Sequence, residues 1–214
     1  MVARPPRAVP LAALAGFLAL LALTIAGWAP LRELDTALSQ DLRRYGEERP
    51  GLVSVLRVAT DAAATVPFVL FGTALALVLV ARGERAAATF AALVTVLVPV
   101  LWGVQHWLVH HPRPRDGFVV VTSNGFPSGH ASNAAAAALL AVLLLWHRVT
   151  RTARVVAVVL ATGFALFIGL TRVLLLAHWP ADVLGGWLLA LAVVASAARL
   201  SRRATPPVRA TASR

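Results

Sequence analysis

The sequence contains no cysteine and no lysine, one methionine, one tyrosine, and nine acidic residues against twenty arginines. Without cysteine there is no disulfide, no thiolate nucleophile and no cysteine-based metal site. Charged residues make up only 14% of the 214 positions, against about 25% in an ordinary soluble domain, while apolar residues reach 59%. That imbalance excludes a disordered chain and argues strongly against a soluble enzyme. The formal charge is +11. A nucleic-acid surface would need its arginines gathered on one soluble patch. Here they separate long apolar runs, so the expected partner is a membrane and no nucleic acid is expected.

Crossing the hydrocarbon layer takes about 20 apolar residues in a helix. Six runs lacking a central charge qualify: Pro10–Ala29, Ala62–Ala81, Ala86–Val109, Ala131–His147, Ala153–Thr171 and Pro180–Leu200. Lipid cannot satisfy open backbone groups, so each must be helical. The first run, preceded by Arg4 and Arg7, could be a signal peptide, but it is longer than a cleaved signal's apolar region and is read as a retained span. The expectation is an all-α integral membrane protein, a bundle of six transmembrane helices forming one domain over residues 1–200. Residues 201–214, with Pro206-Pro207, read as a flexible cytoplasmic tail.

Six spans put both termini on one side. That side collects twelve arginines and the other eight, and the two short connections after the second and fourth spans carry five of the twelve. The positive-inside rule then places both termini in the cytoplasm. The arginine- and alanine-rich composition suggests a bacterial inner membrane. On the outer side, Leu31–Arg57 joins the first two spans. Leu31, Leu34, Leu38, Leu42 and Tyr45 recur there at helical spacing among charged residues. This reads as one amphipathic helix lying on the membrane or capping the bundle. The six tryptophans, Trp28, Trp102, Trp107, Trp146, Trp179 and Trp187, read mostly as an interfacial belt. Arg57 and Asp61 read as an interfacial pair, and His110 and His111 as solvated residues beside a turn.

Polar residues gather at three places, all at outer ends of spans: His106 to Arg115, Phe126 to Ala131, and Thr171-Arg172 with His178 to Asp182. Ionisable residues so placed point to a functional site. Arg113, Arg115 and Arg172 offer guanidinium forks that match phosphate oxygens. Pro127-Ser128-Gly129 precedes a helix, whose free N–H groups attract anions; Ser128 adds a hydroxyl and Gly129 allows close backbone approach. His130 and His178 suit acid–base or nucleophilic work near neutral pH. Asp182 follows His178 by four residues, placed to orient its imidazole. Phosphate grips, two histidines and a carboxylate together indicate phosphoryl transfer through a phosphohistidine. His106 and His110 share a helical spacing that zinc pairs use, but no third ligand is near, so no metal and no cofactor is expected.

With these residues in view, the chain resembles the type 2 phosphatidic acid phosphatase family of membrane lipid phosphatases. Its Pro-Ser-Gly-His motif is intact at Pro127-Ser128-Gly129-His130. Its Ser-Arg-x5-His-x3-Asp motif is present as Thr171-Arg172, His178 and Asp182, with threonine for serine. Its Lys-x6-Arg-Pro motif keeps Arg113-Pro114 but has His106 in place of the lysine. The resemblance implies His178 as nucleophile, His130 as general acid and then base, and Asp182 as orienting carboxylate. His106, Arg113, Ser128, Gly129 and Arg172 would bind phosphate. Gln105 and Arg115 could share the task of the missing lysine. The implied activity is hydrolysis of a terminal phosphate from a lipid phosphate at the outer leaflet, polyprenyl diphosphate first and phosphatidate or phosphatidylglycerol phosphate next. A bell-shaped pH profile is expected. Alternatives are a phosphotransferase, a vanadium haloperoxidase, which six spans disfavour, and a non-catalytic lipid-phosphate-binding protein.

Overall fold

The computed structural model describes residues 2–201. Among these the chain is all-helical, and most of the expected tail lies outside them. In chain order the helices are α1 (Ala8–Ile25), α2 (Ala29–Glu47), α3 (Pro50–Thr60), α4 (Thr65–Ala81), α5 (Arg85–Leu108), α6 (Gly129–Leu145), α7 (Arg151–Leu174) and α8 (Pro180–Leu200), with one 3-10 turn, Asp61–Ala63, between α3 and α4. Helices α1, α5, α7 and α8 are each long and apolar enough to cross a membrane, as is the stretch Pro50–Ala81 that contains α4. The sixth, α6, has only 17 residues.

Helices α6 and α8 form the centre. α7 packs on α6, α1 on α8, and α5 lies against both central helices and carries α4 on its far side. The face α6 buries is built from Ala131, Ala134, Ala135, Ala136 and Ala138. Side chains this small let helix axes come close, which supplies van der Waals contact where lipid gives no hydrophobic drive. Gly72 of α4 serves the same end, because a Cβ there would stand 2.1 Å from Thr95 Oγ1 on α5. Outward faces carry Leu11, Leu18, Leu70, Phe71, Val159 and Leu160, all exposed and apolar, as a lipid-facing surface requires.

The connector between the first two spans differs from the single helix expected. It is two helices, broken at Glu48-Arg49, where Pro50 starts the second. Its inward face differs too. Leu34, Leu38 and Tyr45 point outward, while Asp35, Ser39 and Gly46 are buried. The helix therefore turns Asp35, Ser39 and Gly46 onto the bundle end together with the partly buried Leu31 and Leu42, and leaves Leu34, Leu38 and Tyr45 outside. Gly46 is needed there because the Phe118 ring lies 2.4 Å from where its Cβ would be. The second span begins at Thr65 rather than Ala62, because the chain arrives already helical through α3. Arg57 and Asp61 are both exposed and form no ion pair among the described residues.

The tryptophans split into two groups. Trp28, Trp107 and Trp146 are exposed, as a belt demands. The other three work inside the bundle end. Trp102 donates to Asn133 Oδ1 at 3.2 Å, Trp179 donates to the Pro112 carbonyl at 2.7 Å, and Trp187 packs over Gly169.

Candidate active site

The three polar clusters converge at one end of the bundle, because the end of α5, the start of α6, the end of α7 and the start of α8 all lie there. The covering loop, residues 109–128, is tied to the rest by backbone bonds. Phe118 N–H donates to Leu175 O at 3.0 Å, and Ser128 N–H to Asp182 O at 2.9 Å.

His178 sits in the short α7–α8 connection and is 2% exposed. Its Nε2 accepts from the Arg113 guanidinium at 2.8 Å, and its Nδ1 faces Asp182 Oδ2 at 3.4 Å. An imidazole that accepts at Nε2 and carries its proton on Nδ1 is neutral, with a nucleophilic lone pair at Nε2. Burial, reinforced by Arg113 and Arg172 and by the neighbouring His106 and His130, holds its pKa well below the ordinary histidine value. Asp182 is at the third position of α8, fully buried, and its Oδ2 also accepts the Trp179 N–H at 3.0 Å. One carboxylate thus caps the helix and orients the histidine, which explains the four-residue spacing.

Arg113 is the best-anchored cation. Its guanidinium also donates to Ala177 O at 2.5 Å, Ser123 O at 2.7 Å, Ser123 Oγ at 3.0 Å and Asn124 O at 2.8 Å. Arg172 is buried, donates one N–H to Thr60 Oγ1 at 3.2 Å, and leaves Nε without a partner. It forms no ion pair among the described residues. Asp61 acts on it only through space, so this buried guanidinium keeps donor capacity that an anion could use. His130, half-buried on the first turn of α6, lies within electrostatic reach of both arginines.

Three residues expected to grip phosphate have other partners. His106 Nε2 lies 2.7 Å from the Pro127 carbonyl, to which it must donate, and its ring centre is 6.5 Å from that of His178. It therefore props the loop before α6 while standing beside His178. Ser128 is fully buried and caps α6, its Oγ accepting the Ala131 N–H at 3.4 Å. Gly129 is small because Trp102 carbons lie 3.0 and 3.1 Å from where its Cβ would be. The His106–His110 pairing is absent, because α5 ends at Leu108 and His110 is exposed beyond it.

Several contributors were not legible in the sequence. Asn124 Nδ2 holds the His106 carbonyl at 2.7 Å, and Asn133 Nδ2 holds the Ala63 carbonyl at 3.1 Å. Asp35 of α2 reaches the start of α8, accepting the Ala181 N–H at 3.0 Å. Burial raises its pKa to about 6, against the lowering effect of that N–H. His111 is not merely solvated: it turns its ring toward Asp182. The signal for Asp35 was an acidic residue in the apolar register of a helix; nothing local marked the two asparagines.

Below His130 on α6, Ala134, Ala137 and Ala141 line a partly open apolar cavity of about 270 Å³, flanked by Phe68, Phe71 and Phe164. Residues 130, 134, 137 and 141 follow the i, i+4, i+7, i+11 spacing of one helix stripe. His130 stands one turn before Ala134 on this stripe, so the cavity lies beside the site along α6 without the histidine lining it.

The model for the PAP2 superfamily matches residues 86–206 of the chain. Over 105 residues the chain is 38% identical to phosphatidylglycerophosphatase B of Escherichia coli (strain K12) and to the proteins of that name from Escherichia coli O157:H7 and Shigella flexneri. The alignment covers 49% of this chain and 37% of each relative, so the chain spans little more than a third of their length. A solved structure, the first transmembrane PAP2 type phosphatidylglycerolphosphate phosphatase from Bacillus subtilis, shares the fold. Its TM-score is 0.75 over 92% of this chain and 98% of that one, at 23% identity.

Proposed function

The chain belongs to the PAP2 superfamily, and from that premise we propose that it is a lipid phosphatase working through a phosphohistidine on His178. The observation that carries the reading is the pairing at His178: a guanidinium on Nε2, a carboxylate facing Nδ1, and a second buried arginine close by whose Nε has no hydrogen-bond partner. Phosphate oxygens replace the histidine as the partner of Arg113, and this frees the Nε2 lone pair beside phosphorus. Nε2 attacks, the N–P bond forms, and the bond from phosphorus to the lipid oxygen breaks. His130, protonated beside the phosphate dianion, gives its proton to that oxygen. Neutral His130 then takes a proton from water. The hydroxide displaces His178 from phosphorus, and inorganic phosphate leaves. Arg113 and Arg172 stabilise the equatorial oxygens throughout. Asp182 supports the charge that builds on His178.

The apolar cavity under His130 supports an amphiphilic substrate, with its phosphate among the arginines and one hydrocarbon chain along α6. The names of the relatives make phosphatidylglycerol phosphate the first substrate to test, beside polyprenyl diphosphate. The arginine distribution supports a site on the outer face with both termini in the cytoplasm. The test is phosphate release by detergent-purified protein offered both lipids, with EDTA present and His178→Ala as control. Release that survives EDTA and is lost in the variant is expected. Release that persists in His178→Ala, or silence on every lipid phosphate from folded protein, overturns the reading. Phosphate found on an added alcohol instead of in solution identifies a transferase.

A further inference from the structure

Of the buried polar atoms at this end of the bundle that have no hydrogen-bond partner, two face each other. They are Oδ1 of Asp182 and Nε2 of His111, 3.6 Å apart. The other carboxylate oxygen is fully engaged, with the Trp179 N–H at 3.0 Å and His178 Nδ1 at 3.4 Å. A carboxylate held through one oxygen can swing about its last torsion. A bare buried oxygen also carries its full desolvation cost.

His111 is held in place by the surrounding backbone. Its carbonyl accepts the Gly125 N–H at 2.7 Å, and its own N–H donates to Val109 O at 2.9 Å. The next residue, Pro112, is tied by its carbonyl to the Trp179 indole at 2.7 Å. Gly125 keeps the ring and the carboxylate together: a Cβ there would stand 3.0 Å from Asp182 Oδ2 and 3.4 Å from His111 Cδ2. Any larger residue would push them apart. Hydrogen bonds of this kind are often long in the empty site and tighten as charge develops.

We propose that His111 is a positioning residue, donating its Nε2–H to Oδ1 of Asp182 and so completing a His111–Asp182–His178 chain that locks the carboxylate against the nucleophile. The role rests on the phosphohistidine reading above. The ring acts in its neutral form, which burial favours. Its Nδ1 is left as acceptor, and no proton passes from His111 to the substrate.

The test compares the wild type with His111→Ala, His111→Gln, Asp182→Asn and the His111→Ala/Asp182→Asn double variant. Phosphate release from phosphatidylglycerol phosphate is measured, and histidine-labelled nitrogen-15 spectra are recorded in the same detergent. For His111→Ala, kcat falls about tenfold, the worth of one charge-assisted hydrogen bond, with KM little changed. His111→Gln, which keeps a donor, recovers most of the loss. In the Asp182→Asn background the alanine substitution costs less than about twofold, because the two residues act as a unit. An undiminished rate in His111→Ala, or an equal loss in both backgrounds, overturns the role. A wild type that hydrolyses no lipid phosphate refutes the phosphatase reading instead. The spectra then judge the contact alone: the His178 Nδ1–H resonance moves upfield in His111→Ala and returns in His111→Gln, and a resonance unmoved by His111→Ala overturns it.

Discussion

In the proposed reaction His178 is the nucleophile, and its protonation is set by its neighbours. Burial and the arginines disfavour its charged form, so its pKa lies below the ordinary value of about 6.5. The neutral nucleophile persists as pH falls, and the acid limb of the rate profile lies well below 6.5. Arg113→Gln removes the largest charge effect on that ring, and the limb moves up toward 6.5 in a kcat/KM–pH series, which reports the empty enzyme, beside an overall loss of rate. A limb that stays in place shows that Arg113 does not set the histidine's charge. Ser128 illustrates a different division of labour. Its hydroxyl caps α6, so Ser128→Ala costs about 1 kcal/mol of stability, a few degrees in Tm, while KM is nearly unchanged. A large KM increase at unchanged Tm would return Ser128 to direct phosphate binding.

At the scale of elements, α2 is the cap that reaches into the site, and Asp35 is its contact with α8. The folded pKa of Asp35, about 6, is raised above its ordinary value of 3.8. A raised carboxyl favours folding most when protonated. Its contribution is whole below pH 4 and is lost as pH rises through about 6. Asp35→Asn keeps the acceptor for Ala181 and removes the charge. Relative to this variant, the wild type loses roughly 1–3 kcal/mol of stability between pH 4 and 7, read as Tm in detergent. Parallel Tm curves for the two proteins would show that the carboxyl is not perturbed by the α8 contact. Helix α6 lends itself to a second test, because its stripe joins His130 to the apolar cavity. Ala137→Phe fills that cavity. It lowers kcat/KM for long-chain lipid phosphates about tenfold or more and leaves a short-chain soluble phosphate ester nearly unaffected. Equal losses on both substrates mean that the hydrocarbon chain lies elsewhere.

For the whole molecule, the proposed outward orientation of the site end is read by single cysteines, because the sequence has none. Val120, 97% exposed in the loop over the site, and Arg82, exposed at the opposite end, each accept a single cysteine. In intact cells a membrane-impermeant maleimide labels Val120→Cys. It labels Arg82→Cys only after permeabilisation. The reverse pattern would invert the proposed topology and put the hydrolysis on the cytoplasmic leaflet. The opposite end is also where Arg148 donates to Glu84 Oε1 at 3.0 Å, clamping the two connections there.

The residue order determined the membrane class, the six apolar helices, five of them in stretches long enough to span, and the three polar clusters with their histidines, arginines and aspartate. These are local properties: apolar length, charge placement, and motif spacing along single helices. Tertiary packing decided what the spacing could not encode. His106, aligned with a family lysine, spends its Nε2 on the Pro127 carbonyl. Ser128 became a helix cap, and Gly129 makes room for Trp102. The amphipathic connector turned Asp35 inward beside Leu31 and Leu42, because the start of α8 offers an N–H for its carboxylate, and left Leu34 and Leu38 outside. His111 met Asp182 across 71 residues of chain. Each of these outcomes depends on which elements the bundle places side by side, and a contact between distant segments leaves no periodicity in either one.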